Sequence, residues 1–246
     1  QASAKSIVPF ISAWSSDPSL SQAFIPWFFN CVPNDEQQAQ SVINEIFNKR
    51  GLRKVLVITD ENYDSKQALK SFLKYLHIDK KGSPVVINFD KYSKTPDELA
   101  SEINSSDPDC IVLLTKPETS VQIIGLLTKY RFEKPVYGSL QIFNENKLSE
   151  KELYNLEKVV IIPNAGWTES KFSAFKKNYK NCYGKNPGFV AAFAFDAMNT
   201  LIEAIRDAKS TDNEMIKKAL SQIQYDGVTG TIRFGELGTR IDSCIF

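Results

Sequence analysis

The sequence predicts an α/β chain built on a doubly wound, mostly parallel sheet with helices on both faces. Three observations predict it. Short apolar runs such as "KVLVITD", "PVVINF" and "CIVLL" are continuous rather than alternating, as strands covered on both faces require. Segments of helical period separate these runs. Beyond "VVIIP" (159–163) the alternation stops and helices follow one another without strands. Those helices read as the cover of a second sheet of which little is present.

Taken in order, "VPFISAWSSDPSL" (8–20) opens as a buried strand and ends in hydroxyls beside Trp14. Ala39, Val42, Ile43, Ile46 and Phe47 fall at i, i+3, i+4, i+7 and i+8, which predicts an amphipathic helix over about 36–49. "KVLVITD" is the next strand, and Ala68, Leu69, Phe72, Leu73 and Leu76 mark the next helix. "PVVINF" follows as a strand. In "TPDELASEI", Thr95 supplies an N-cap, Pro96 the first helical residue and Glu98 a capping box. "CIVLL" is a strand, "PETSVQIIGLLTKY" a helix with Pro117 near its start, and "PVYG" a short strand. Helices are then expected at about 169–183, 188–208 and 212–223, the middle one apolar enough for burial on more than one side. "YDGVTGTIRF" and "TRIDSCIF" close the chain as extended segments, with turns supplied by Asp226-Gly227, Gly230 and the stretch 235–238.

Composition narrows the function. Thirty Lys and Arg stand against 29 Asp and Glu, a net charge of +1, so no overall bias points to nucleic acid or an anionic membrane. Cys31, Cys110, Cys182 and Cys244 are scattered and His77 is the one histidine. Zinc spacing is therefore missing, and no metal or other cofactor is expected. Disulfide pairing stays open, with Cys110 read as a buried small hydrophobe inside "CIVLL". The chain has no G-x-G-x-x-G, Walker or G-x-S-x-G motif. A catalytic triad could use only His77, which reads as a surface residue at a helix end. Asp60 ends a strand and reads as a cap for the helix after it, not as a phosphoacceptor.

Binding signals are better. Ser15 and Ser16, Tyr63, Thr115, and "GSLQ" with Leu140 and Gln141 all follow predicted strands. Open α/β sheets bind their ligands at such carboxyl ends.

Several stretches together resemble one family: "VPFISAWSSDPSL", "PNDEQQAQ", "KVLVITDENYDSKQALKSF", "PDCIVLL", "KPVYGS", "NPGFVAAFAFDAMNTLIEAI" and "YDGVTGTIRFGELGTRID". The chain is similar to the solute-binding proteins of branched-chain amino acid ABC transporters, the leucine/isoleucine/valine-binding type. The resemblance implies the two-lobed type I periplasmic binding protein fold, with parallel sheets joined by three crossing strands. It also implies that the family's opening βαβα portion, which normally precedes "VPFIS", is lacking, so that lobe one is incomplete. Lobe one is then expected from 1–33 and 164–225, and lobe two from 34–163 and 228–246.

The implied function is binding of an amino acid or related small carboxylate between the lobes, without catalysis. A membrane permease would be the partner and the location periplasmic or extracellular, compatible with a lipid anchor in the full-length form. A ligand-sensing receptor domain coupled to a signalling partner is the alternative. By resemblance, Trp14, Ser15 and Ser16 would hold a ligand carboxylate, Asp35 takes a hinge-adjacent acidic position, and Tyr63 closes over the ligand. Thr115 falls where an aromatic often sits. Leu140, with Gln141 beside it, replaces the acid expected to hold an ammonium group. A buried ammonium without a counter-charge costs several kcal/mol, so the alternatives are a less charged ligand or compensation by Asp35 or Glu61.

Overall fold

Val55–Thr59 and Cys110–Leu114 are buried at every position, so both runs become central strands. The computed structural model describes residues 7–22, 27–89, 95–161 and 169–241. Residues 38–161 form one compact unit, and residues 7–37 with 169–241 form the other.

The unit of residues 38–161 begins within helix α1 (Asp35–Ile43), which runs on as a π-helix over Asn44–Lys49. The expected helix is there, but its second half is wound more loosely, with Arg50 N–H donating to Glu45 O. The buried Glu45 carboxylate takes Arg50 at 2.9 Å and Lys49 at 3.2 Å across that loose turn. After β1 (Phe10–Ser12) and β2 (Phe28–Asn30) of the other unit, the next elements are β3 (Val55–Thr59), α2 (Tyr63–Ile78), β4 (Val85–Asn88), α3 (Pro96–Ser106), β5 (Cys110–Leu114), α4 (Pro117–Lys129), β6 (Val136–Gly138), α5 (Glu150–Val159) and β7 (Val160–Ile161). The sheet is parallel throughout, in the order β4-β3-β5-β6-β7. Val85 and Val86 of β4 are exposed at its edge. α3 starts on the capping box of Thr95 and Glu98, with Pro96 in its first turn. α5 starts on a second box, Ser149 with Glu152. Val57, Val112, Phe72, Leu76, Ile43 and Ile46 share the core.

The other unit contains β1 (Phe10–Ser12), one helical turn at Ser19–Gln22, and β2 (Phe28–Asn30), paired in parallel with β1. α6 (Glu169–Tyr183), α7 (Phe189–Ala208) and α8 (Asn213–Gln222) follow, then the antiparallel pair β8 (Tyr225–Gly227) and β9 (Gly230–Ile232). Phe29, Cys31, Ala197, Ala204, Leu220, Ile232 and Phe234 pack its core. α7 is buried on one side only: Phe195, Met198, Ile202 and Ile205 form an exposed stripe on the other. This corrects the expectation of burial on more than one side.

The units divide the chain differently from the lobes expected above. Residues 228–241 pack with β2, not with the larger sheet, because the side chain of Arg240 is buried there. Its Nη1 donates to Cys31 O at 3.0 Å and Thr229 Oγ1 at 2.9 Å, and its Nη2 donates to Thr229 O at 2.7 Å and Thr231 O at 3.0 Å. The first boundary falls after Gln37 instead of after Pro33. Gln37 Nε2 donates to Arg240 O, which ties the start of α1 to the same unit. Residues 242–246, and with them Cys244, lie outside the described residues, as do 162–168.

Candidate functional site

In the unit that carries β1, the loop after that strand is held from beneath. Ser12 Oγ accepts Ser15 N–H at 3.2 Å, and Asn30 Nδ2 donates to Ser15 O at 2.7 Å. Ser16 is fully buried, and its hydroxyl donates to Asp35 Oδ1 at 2.6 Å. The Asp35 N–H returns a bond to Ser16 O at 2.8 Å. Asp35 is the first residue of α1, where a carboxylate also meets the positive end of the helix dipole. The Trp14 ring leans on Phe193 of α7, with centroids 5.9 Å apart. Trp14, Ser15, Ser16 and Asp35 therefore form one cluster. Ser12 and Asn30, which fix its backbone, carried no signal beyond their place in short apolar runs.

In the other unit the chain leaves β3 toward β4 on one side, while β5 lies on the other. A crevice at the carboxyl ends of β3 and β5 follows from that reversal. Asp60 sits in it, buried, with Oδ1 accepting Asn62 N–H at 3.1 Å and Oδ2 accepting Lys116 N–H at 2.9 Å. It pins the loops after β3 and β5 together, while the N-cap of α2 is Asn62, not Asp60. Tyr63 opens α2 and is 60% exposed. Thr115 is buried, with its hydroxyl 2.7 Å from that of Ser120 in the first turn of α4. Leu140 is fully buried at the start of a 3-10 turn, and its N–H donates to Gln38 Oε1 at 2.8 Å. Gln141 beside it is half-buried. Glu61 is exposed and engaged by Lys66 and by Asn88. His77 is exposed near the end of α2.

Tyr63, Asp60, Thr115, Leu140 and Gln141 thus all lie at the carboxyl edge of one parallel sheet, and Trp14, Ser15, Ser16 and Asp35 lie at the carboxyl end of β1. Gln38, Ser120 and the Lys116 backbone complete the larger edge. Gln38 and Ser120 lie inside helices and follow no apolar run, and Lys116 contributes through its backbone, so residue type gave no signal for any of them.

Two α/β units, one on a five-stranded parallel sheet and one on a parallel strand pair, have the architecture of a type I periplasmic binding protein fold. The family model described as periplasmic binding protein matches residues 1–246, and the chain belongs to that family. Among solved structures, a leucine-binding protein of Thermotoga maritima superposes with a TM-score of 0.78 at 20% identity, over 98% of this chain and 69% of that one. The branched-chain amino acid transporter substrate-binding protein of Streptococcus pneumoniae, in complex with isoleucine, gives 0.75 at 20%, over 97% and 68%. A solute-binding protein of an ABC transporter from Rhodopseudomonas palustris, in complex with 3,4-dihydroxybenzoic acid, gives 0.74 at 16%, over 97% and 67%. No curated protein matches the chain at a comparable level of significance. Among the described residues, no helix is long and apolar enough to cross a membrane.

Proposed function

We propose that this chain is the extracytoplasmic solute-binding component of an ABC transporter. It takes a small carboxylate between the strand-end groups of its two units and presents the closed form to a membrane permease. The Ser15 hydroxyl and the backbone of Trp14, Ser15 and Ser16 hold the carboxylate, the Ser16 hydroxyl being given to Asp35, which fixes the loop; Tyr63 covers the ligand, with Thr115, Leu140 and Gln141 at its far side. The closed state is favoured by the ligand's differential affinity for it. The reaction is binding and release, with no chemical step.

The observation that carries the ligand class is Leu140, fully buried at the position where the resemblance expects an acid to hold an ammonium group. Asp60 accepts two backbone N–H groups and Glu61 is engaged by Lys66. That pattern favours an acid without an ammonium group over an α-amino acid.

A thermal-shift screen of the chain against aromatic and aliphatic carboxylates and aliphatic amino acids tests it. A ligand at about a hundredfold excess over Kd stabilises by about 2.7 kcal/mol, which raises Tm by about 5 °C. The carboxylates are expected to give that shift. A shift with amino acids alone would overturn the ligand class, and no shift at all would overturn the binding function.

A further inference from the structure

We infer that the exposed face of α6 is a docking surface for anionic phospholipid. Residues 169–185, "ESKFSAFKKNYKNCYGK", hold five lysines and one glutamate. This short stretch therefore carries +4 in a chain whose net charge is +1. Lys171 is held by Asp226. Lys176, Lys177, Lys180 and Lys185 are exposed and have no acidic partner among the described residues.

Their placement is ordered. At about 100° per residue, Lys176, Lys177 and Lys180 fall within one arc of the helix, and Phe172, Phe175, Tyr179 and Tyr183 form the stripe beside it. Phe175 anchors that stripe, buried against Ala192 and Val228. The Tyr179 ring leans on that of Tyr183 at 45°, with centroids 4.6 Å apart, and Tyr183 is 68% exposed. The result is a row of ammonium groups edged by an exposed phenol ring on a firmly seated helix.

Phospholipid fits this face better than a protein does. Tight protein interfaces are depleted in lysine and rich in arginine, and this face has no arginine. Lysine is a compact, hydrated point charge suited to diffuse attraction toward a charged surface. Each lysine near an anionic leaflet contributes a similar increment of attraction. Tyrosine belongs at the headgroup level, with its ring in the apolar layer and its hydroxyl in water. The attraction is screened over about 10 Å at 0.1 M salt.

The test is vesicle flotation of the chain with phosphatidylcholine alone and with phosphatidylcholine carrying phosphatidylglycerol. Binding is expected only to the anionic vesicles, and it is lost at high salt. The variant K176Q/K177Q/K180Q/K185Q is expected to bind at least a hundredfold more weakly, with unchanged circular dichroism. The variant K70Q/K80Q/K147Q/K151Q removes the same net charge from the other unit and is expected to bind as the parent chain does. Equal losses in the two variants would overturn the proposal in favour of attraction by net charge. Absence of vesicle binding, including the case in which the chain binds polyglutamate instead, would overturn it in favour of an acidic protein partner. Neither outcome depends on which solute the chain carries.

Discussion

The Ser16 hydroxyl donates to Asp35 Oδ1 at 2.6 Å, and the Asp35 N–H donates back to Ser16 O at 2.8 Å. Nineteen residues apart, the two close the loop after β1 onto the first turn of α1. Replacing Ser16 by Ala leaves a buried carboxylate short of a donor, which costs about 1–3 kcal/mol. Urea unfolding of Ser16→Ala is expected to show that loss, with Ser16→Thr recovering most of it. A loss below about 0.5 kcal/mol would show the pair to be incidental.

A second buried carboxylate fixes the β8–β9 turn. Asp196 Oδ1 accepts Val228 N–H at 2.9 Å, and Oδ2 accepts Thr229 N–H at 2.6 Å and Thr229 Oγ1 at 2.7 Å. A Cβ at Gly227 would collide with that carboxylate. Asp196→Ala orphans three buried donors and is expected to cost about 3–5 kcal/mol. Gly227→Ala is expected to cost about 1–3 kcal/mol through overpacking. Denaturant midpoints measure both. A Gly227→Ala chain as stable as the parent would contradict the close approach.

Acid should weaken the fold. Two backbone N–H groups, of Lys54 and Arg53, hold the Asp109 carboxyl below its ordinary pKa. The Arg50 guanidinium does the same for Glu45, with Lys49 adding to it against the opposing effect of burial. Ser149 does so for Glu152. A carboxyl lowered on folding stabilises above its unfolded pKa, and that stability is lost as pH falls through the folded value. Tm is therefore expected to hold down to about pH 5 and fall below about pH 4. Asp109→Asn should flatten part of that fall. An unchanged acid slope in Asp109→Asn would contradict the assignment.

The cysteines should separate by burial. Burial pushes the thiols of Cys31 and Cys110 up to about 12, while Cys182 is exposed near the end of α6. In a Cys244→Ser chain at pH 8, one thiol is expected to react promptly with a disulfide reagent and two more only after denaturation. Prompt reaction of all three would contradict the burial of Cys31 and Cys110.

Most of the larger unit was legible because its signals are local. Strands such as "CIVLL" are apolar at every position, and Thr95, Pro96 and Glu98 encode a helix start within four residues. α5 carries the same type of signal in Ser149 and Glu152 but was not expected, since its apolar stripe is thin and Leu156 is its buried residue. The candidate site was legible as positions and not as partnerships. Ser16, Thr115 and Leu140 stand at strand ends as expected, yet their partners Asp35, Ser120 and Gln38 are set by tertiary contacts. The placement of the C-terminal segment depended on Arg240, whose four acceptor contacts lie on three separate residues. A lone arginine in "GTRID" gives no hint of them. Asp196 inside "FVAAFAFDAMNTL" was the one readable warning, an acid at a buried helical position that must find donors.

The central claim is that the strand-end groups bind one small acid. Isothermal titration with benzoate, 3,4-dihydroxybenzoate, leucine and isoleucine tests it most directly, on the parent chain, on Tyr63→Ala and on Tyr154→Ala, which alters an exposed tyrosine on α5 away from these edges. The account predicts binding of benzoate or 3,4-dihydroxybenzoate with Kd below about 1 mM. It also predicts at least tenfold weaker binding in Tyr63→Ala and no change in Tyr154→Ala. No heat with any of the four ligands, heat with leucine or isoleucine alone, or parent-like affinity in Tyr63→Ala would contradict it.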